Sequence, residues 1–122
     1  MILLLVPGFS PFVFGRYTTM SFEELQRTIA SETSAPAGLS AALEALWHDA
    51  RGDWEQAHTC AQDDHSRDGS WVHAYLHRKE GDRGNAGYWY SRAGRTMPAA
   101  GVSLETEWAT IARELLERDQ KG

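Results

Sequence analysis

His73 and His77 are the residues of this 122-residue chain whose spacing most clearly suggests chemistry. They stand four residues apart in a segment that reads as a helix, so both imidazoles could reach one metal ion. A zinc site normally needs three or four protein ligands. The additional ligands available are His48, Glu80 and Asp82, which are near only if neighbouring helices stack. The simpler interpretation is a partly exposed helix face whose histidines form hydrogen bonds, with no metal or other cofactor.

Aromatic and basic side chains are concentrated around the same histidines. A pocket that combines aromatic rings with guanidinium groups can stack on a planar ligand or bind an anion. Trp89 and Tyr90 are about 100° apart on a helix, so some of these side chains should belong to the core. We expect two of the four aromatic residues to pack inward. The candidates for the pocket are Tyr75, Tyr88, Trp89, Tyr90, Arg78 and Arg92.

Two other sequence patterns give weaker indications of a functional site. The loop DDHSRDG has the first spacings of a calcium-binding loop, but its twelfth position is Tyr75, which cannot supply the bidentate carboxylate. Asp68 or Ser70 is predicted instead to cap the helix that follows. Cys60 lacks a suitably placed base and is predicted to be a small buried residue, because His58 should face elsewhere. Whether the protein is an enzyme stays open.

The elements that position these residues are predicted to be helices. Apolar residues recur every three or four positions, and no segment shows sustained two-residue alternation. Ser21 and Glu24 have the spacing of a capping box. The sequence therefore predicts an all-α fold of about six helices. Their expected starting points are Ser21, Leu39, Asp53, Ser70, Asp82 and Ser103.

The composition is that of one globular domain. Hydrophobic residues make up 42% of the chain and charged residues 24%, with a net charge of −5. This charge disfavours nucleic acid as a partner, because phosphate binding needs a concentrated basic surface. The single Cys60 cannot form an internal disulfide, so we expect a reducing, cytoplasmic location.

Residues 1–18 are predicted to form a hydrophobic arm, and residues 19–122 a single helical domain. The apolar run of the arm is too short for a bilayer-spanning helix, which needs about 20 apolar residues. Three interpretations remain open: a remnant export signal, a translated upstream extension, or a strap packed on the domain. An exposed arm would favour self-association, so a homodimer through the arm is a further alternative.

A Gly-Asp pair occurs twice at an interval of 29 residues, as Gly52-Asp53 and as Gly81-Asp82. A glycine at a helix end can adopt the left-handed conformation, and an aspartate after it can cap the next helix. The pattern therefore predicts the same two-helix corner at both places.

These corners resemble those of the tetratricopeptide repeat, whose helix pairs stack into a superhelix. The resemblance implies antiparallel helical hairpins stacked in one domain, although the 29-residue interval is shorter than the usual period of about 34. The run SRDGSWVHAYLHRKEGD followed by NAGYWYSRAG also resembles a family of small bacterial proteins without an assigned activity. That second resemblance implies no catalytic residues. The positions that match the repeat are Ala74, Gly81, Asp82, Ala86, Tyr90, Ala93 and Pro98.

The sequence predicts a binding or scaffold module that recognises a protein, a peptide or a small anionic ligand in a groove between helices two and four. The histidines would form hydrogen bonds to the ligand, and Arg78 would contact an anion. The alternative is a small metal-dependent hydrolase that uses His73 and His77, with Glu80 or Asp82 as a further ligand or base. The predicted contact residues are Tyr75, His77, Arg78, Trp89 and His48.

Overall fold

The computed structural model describes residues 20–121, which form six helices packed in one domain and contain no strand. The all-α fold is therefore confirmed. The predicted hydrophobic arm, residues 1–18, and the homodimer through it lie outside the described residues. The helices are α1 (Phe22–Ser31), α2 (Ala41–Ala50), α3 (Trp54–Asp63), α4 (Arg67–Lys79), α5 (Arg83–Ala93) and α6 (Leu104–Lys121).

The predicted corners form as expected at both glycines. Gly52 has φ +85° and Gly81 has φ +87°, in the left-handed region. The backbone N–H of the following aspartate donates to the carbonyl of the residue five positions earlier, at 3.0 Å in the first corner and 2.9 Å in the second. The carboxylates of Asp53 and Asp82 then cap α3 and α5. Each corner reverses the chain, so that α2 packs on α3 and α4 packs on α5.

Helix α4 begins three residues earlier than predicted, at Arg67. Ser66 caps it, because its hydroxyl accepts a hydrogen bond from the N–H of Gly69 at 3.1 Å. The prediction of Asp68 or Ser70 as the cap is therefore wrong. A Cβ at Gly69 would lie 2.2 Å from the carbonyl oxygen of Asp64, so only glycine fits where the α3–α4 connection passes this helix.

Helix α4 occupies the centre of the domain and packs against α2, α3, α5 and α6. Helix α6 contacts both α2 and α4, and the indole N–H of Trp108 donates to the carbonyl of Leu46 at 3.0 Å. The face that α2 and α4 share is therefore partly covered by α6. The largest fully buried side chains are Trp47, Tyr90, Leu25, Leu43, Leu46, Leu76, Ile111, Leu115 and Val72.

None of the six helices between residues 20 and 121 is both long enough and apolar enough to cross a bilayer.

Two glycines of the second hairpin should respond oppositely to replacement by alanine. Gly81→Ala is expected to lower the free energy of unfolding by about 1 kcal/mol, because its φ of +87° is unfavourable for a residue with a Cβ. Gly87→Ala is the matched control within α5, where an added Cβ meets only the methyl carbon of Met97 at 3.9 Å. That change should raise stability by up to about 1 kcal/mol. Urea unfolding would measure both, and a stabilising Gly81→Ala would contradict the assigned corner.

Candidate functional site

A cavity of about 450 Å³ lies between α1, the ends of α2 and α4, and the start of α6. We call it the Asp49 cavity, after the buried carboxylate that lines it. Three exposed polar residues, Gln26, Lys79 and Glu105, also line it and form its rim. Its remaining lining residues are Phe22, Ile29, Ala50, Tyr75, Leu104, Trp108 and Ala109.

Both oxygens of the Asp49 carboxylate are paired. The Nζ of Lys79 donates to Oδ1 at 2.8 Å, and the hydroxyl of Tyr75 donates to Oδ2 at 2.9 Å. Burial, together with the charge and hydrogen bond of Asp49, raises the pKa of Tyr75, so the phenol remains a donor. The Lys79 side chain is 38% exposed, whereas Asp49 is buried. The cavity therefore combines apolar walls with a carboxylate whose cationic partner reaches solvent.

Arg78 lies in an internal ion pair. Its Nη1 is 2.8 Å from Oε1 of Glu107, and the two side chains are 10% and 4% exposed. Arg78 also donates to the carbonyl of Val102, and the Tyr90 hydroxyl donates to Glu107. This network links α4, α5 and α6, so the guanidinium predicted as an anion contact is engaged within the domain.

Replacing Arg78 should destabilise the domain strongly. Arg78→Met is expected to lower the free energy of unfolding by about 3 kcal/mol or more, because it leaves the buried Glu107 without its cation. The control is Arg92→Met, since Arg92 is exposed on α5 and should change stability by less than about 1 kcal/mol. Urea unfolding would test this, and equal effects of the two changes would contradict a structural role for Arg78.

Three histidines from α3 and α4 meet on another side of α4. We call His58, His73 and His77 the histidine cluster. One ring nitrogen from each lies within 4.8 Å of the others, and the Nε2 atoms of His58 and His73 are 3.0 Å apart. His73 is only 3% exposed, and the side chain of His77 is 12% exposed.

Aromatic rings enclose the histidine cluster. Trp54 stacks on His58 with ring centroids 4.8 Å apart, and Trp89 stacks on His73 at 4.0 Å. The indole N–H of Trp54 donates to the carbonyl of Leu76 at 3.0 Å, which fixes α3 against α4. These contacts give the imidazoles of His58 and His73 an apolar surrounding.

The surroundings of His58 and His73 favour neutral imidazoles. Burial, together with smaller contributions from the neighbouring His58 and His77, lowers the pKa of His73 to about 4. Burial is also the main cause that lowers the pKa of His58, followed by His77. Among the described residues, Nδ1 of His73 and Nδ1 of His77 are buried without a hydrogen-bond partner. The hydrogen bonds of the cluster therefore leave these two ring nitrogens unpaired.

The buried His73 should make stability depend on pH. The pKa of His73 is about 4 in the folded protein and about 6.5 in the unfolded chain. Between these two pH values the unfolded chain is protonated at His73 and the folded protein is not, so a lower pH favours unfolding. The contribution of the neutral His73 to the free energy of unfolding is fully present above about pH 6.5. It is lost as the pH falls towards 4, by up to about 3 kcal/mol.

Urea unfolding at pH 7, 5.5 and 4, in buffer free of metal ions, would measure this contribution. The decrease in stability should be smaller in His73→Gln than in the wild type, and unchanged in His65→Gln, whose histidine is exposed. The same decrease in all three proteins would contradict the assignment to His73.

The five predicted contact residues do not share one surface. Tyr75 lines the Asp49 cavity, whereas Arg78 is engaged with α6. His77 belongs to the histidine cluster, and Trp89 stacks against that cluster. His48 lies elsewhere, on α2. Whether these residues contact a partner stays a prediction.

His48 belongs to another group of three potential ligands, with Glu44 and Cys60. Its Nε2 lies 3.5 Å from a Glu44 carboxylate oxygen. Cys60 is half-buried, and burial followed by the charge of Glu44 raises the pKa of its thiol. A raised pKa disfavours the reactive thiolate, in agreement with the prediction that Cys60 is not a nucleophile.

The four aromatic residues divide as expected. Tyr75 and Tyr90 are buried at 2% exposure, Trp89 is partly buried, and Tyr88 is exposed. The guanidinium of Arg92 lies over the ring of Tyr88, with its central carbon 5.9 Å from the ring centroid. A single pocket formed by all four rings is therefore absent from the described residues.

His58 was the ligand candidate that the sequence reasoning missed. The expected additional partners Glu80 and Asp82 do approach His77, at 3.8 and 3.9 Å from its Nδ1, but His48 does not join them. The missed signal was the pair Trp54 and His58, which has the same four-residue spacing as His73 and His77. A short connection makes α3 and α4 antiparallel, so positions equally far from it face each other.

No family model, curated protein or solved structure matches this chain in comparisons with known proteins. The two resemblances described above therefore remain predictions.

Proposed function

We propose that this protein is a binding module whose Asp49 cavity accepts a peptide segment of a partner protein. The observation that carries the proposal is a buried carboxylate lining a cavity of about 450 Å³ between four helices. This volume is within the range of about 300–1,000 Å³ that is typical of ligand sites. The two hairpins, α2–α3 and α4–α5, support a tetratricopeptide-like arrangement as its scaffold.

The apolar lining suits a hydrophobic side chain of the partner. Phe22 and Trp108 form an edge-to-face pair with centroids 6.0 Å apart, and Ile29 and Leu104 extend the same apolar surface. Aromatic and aliphatic residues in a concave, mostly preformed site are the usual source of binding energy for an anchoring side chain.

The charges at the cavity favour a basic group beside that side chain. Lys79 already neutralises Asp49, whereas Glu105 takes part in none of the ion pairs found among residues 20–121. The whole chain carries a net charge of −5, which favours encounter with a positively charged partner. An anionic ligand, the other prediction from the sequence, would be repelled by the carboxylate of Glu105, because Lys79 is already paired with Asp49. We therefore propose a segment in which Lys or Arg is adjacent to an apolar residue.

The single Cys60 supports a reducing compartment such as the cytoplasm as the place of binding, because the fold requires no disulfide.

Selection of peptides from a random display library against the full-length chain would test this proposal. Enriched peptides are expected to contain Lys or Arg next to an apolar residue, and their affinities would be measured by titration calorimetry. Ala109→Trp should weaken binding at least tenfold, about 1.4 kcal/mol, because the indole occupies the cavity. Glu105→Lys should weaken it similarly by charge repulsion.

The matched control is Asp63→Lys, which changes charge by the same amount at an exposed position on α3, a helix that does not line the cavity. Its affinity should remain close to that of the wild type. The proposal would be overturned if no peptide were enriched, or if the enriched peptides bound Ala109→Trp and Glu105→Lys as tightly as the wild type.

A further inference from the structure

We infer that His58, His73 and His77 bind one divalent transition-metal ion of the zinc class through their ring nitrogens. This site is separate from the Asp49 cavity and does not depend on the function proposed for it. The inference goes beyond the two-histidine arrangement expected from the sequence, because α3 supplies the third imidazole.

The distances in the histidine cluster are close to those of a zinc site. Zinc binds imidazole nitrogen at about 2.0–2.1 Å in tetrahedral geometry, which places two ligand nitrogens roughly 3.4 Å apart. The Nε2 atoms of His58 and His73 are 3.0 Å apart, and a nitrogen of His77 lies within 4.8 Å of both. Small rotations of the partly exposed His58 and His77 would bring all three to one ion. Three imidazoles leave a fourth position for water or another ligand.

Hydrogen bonds do not occupy every buried nitrogen of the histidine cluster. Buried polar atoms in folded proteins nearly always have partners. The contact between His58 and His73 uses one Nε2 of each ring, yet Nδ1 of His73 has no partner among the described residues although this residue is 3% exposed. A histidine retained only for packing could be replaced by an apolar ring at no such cost. The contact between His58 and His73 uses the proton of one Nε2 and the lone pair of the other, whereas a metal ion bound to both Nε2 atoms would use both lone pairs and leave the proton of each ring on Nδ1. Nδ1 of His73 is unpaired in either case, so the convergence of the three rings, and not that atom, indicates a metal ion.

Two carboxylates lie near His77, although neither forms a hydrogen bond with it. Its Nδ1 lies 3.8 Å from Glu80 and 3.9 Å from Asp82, so both carboxylates are on the Nδ1 side of the ring. A carboxylate that moved to hydrogen-bonding distance of Nδ1 would orient the ring and leave Nε2 as the ligand. Asp82 is held in place because it caps α5 and accepts from the Asn85 side chain at 2.7 Å. Trp54 and Trp89 provide the apolar shell.

Metal titration of the full-length chain without a histidine tag tests the site. After removal of metal by a chelator, Zn²⁺ would be added in competition with a chromophoric chelator, and we expect one ion per chain. His58→Gln and His77→Gln should each weaken zinc binding at least tenfold. Both residues are less buried than His73, and circular dichroism would verify that the variants are folded.

Three variants serve as matched controls. His65→Gln and His48→Gln each remove an imidazole outside the cluster and should leave the affinity unchanged, as should Cys60→Ser. Co²⁺ bound to the cluster should show visible ligand-field bands without a thiolate charge-transfer band. The inference would be overturned by failure to bind Zn²⁺, or by unchanged affinity in either cluster variant, because a loss in His77→Gln alone would place the ion at His77, Glu80 and Asp82. A charge-transfer band that disappears in Cys60→Ser would also overturn it, because the ion would then be held by Glu44, His48 and Cys60.

Discussion

The structure depends on the polar side chains of α4, a helix that other helices enclose on several sides. A buried polar group is costly unless it is hydrogen-bonded, so these side chains must find partners inside the domain. Tyr75 bonds to α2 through Asp49, and Arg78 pairs with Glu107 on α6. His73 meets α3 through His58. Each of these contacts joins α4 to one neighbouring helix at a defined position.

The same helix separates the two candidate sites. Tyr75 and Lys79 are four residues apart and face the Asp49 cavity, and His73 and His77 have the same spacing in the histidine cluster. The two pairs are offset by two residues, which is about 200° around a helix, so they lie on opposite sides of α4. The cavity and the cluster can therefore act independently, although both would be lost if α4 were displaced.

Local features of the fold were predictable, and contacts between distant segments were not. The Gly-Asp corners and the caps at Ser21 and Asp53 were recognised because a few adjacent residues determine them. The start of α4 was missed because Gly69 weakens the local helix signal, and the reason for that glycine is a close approach to the α3–α4 connection. Glu107, the partner of Arg78, lies 29 residues further along the chain and reads locally as one more acidic residue of α6. The third histidine required the register between α3 and α4, which a helix-by-helix analysis does not provide.

Native-state hydrogen exchange of the α4 amides would test the central role of this helix most directly. If its polar contacts hold the domain together, the amides from Val72 to Leu76 should exchange only when the whole domain unfolds. Their exchange free energy should then equal the free energy of unfolding obtained from denaturant titration. The account would be contradicted if these amides exchanged by local unfolding, with an exchange free energy lower than that of the buried α6 amides.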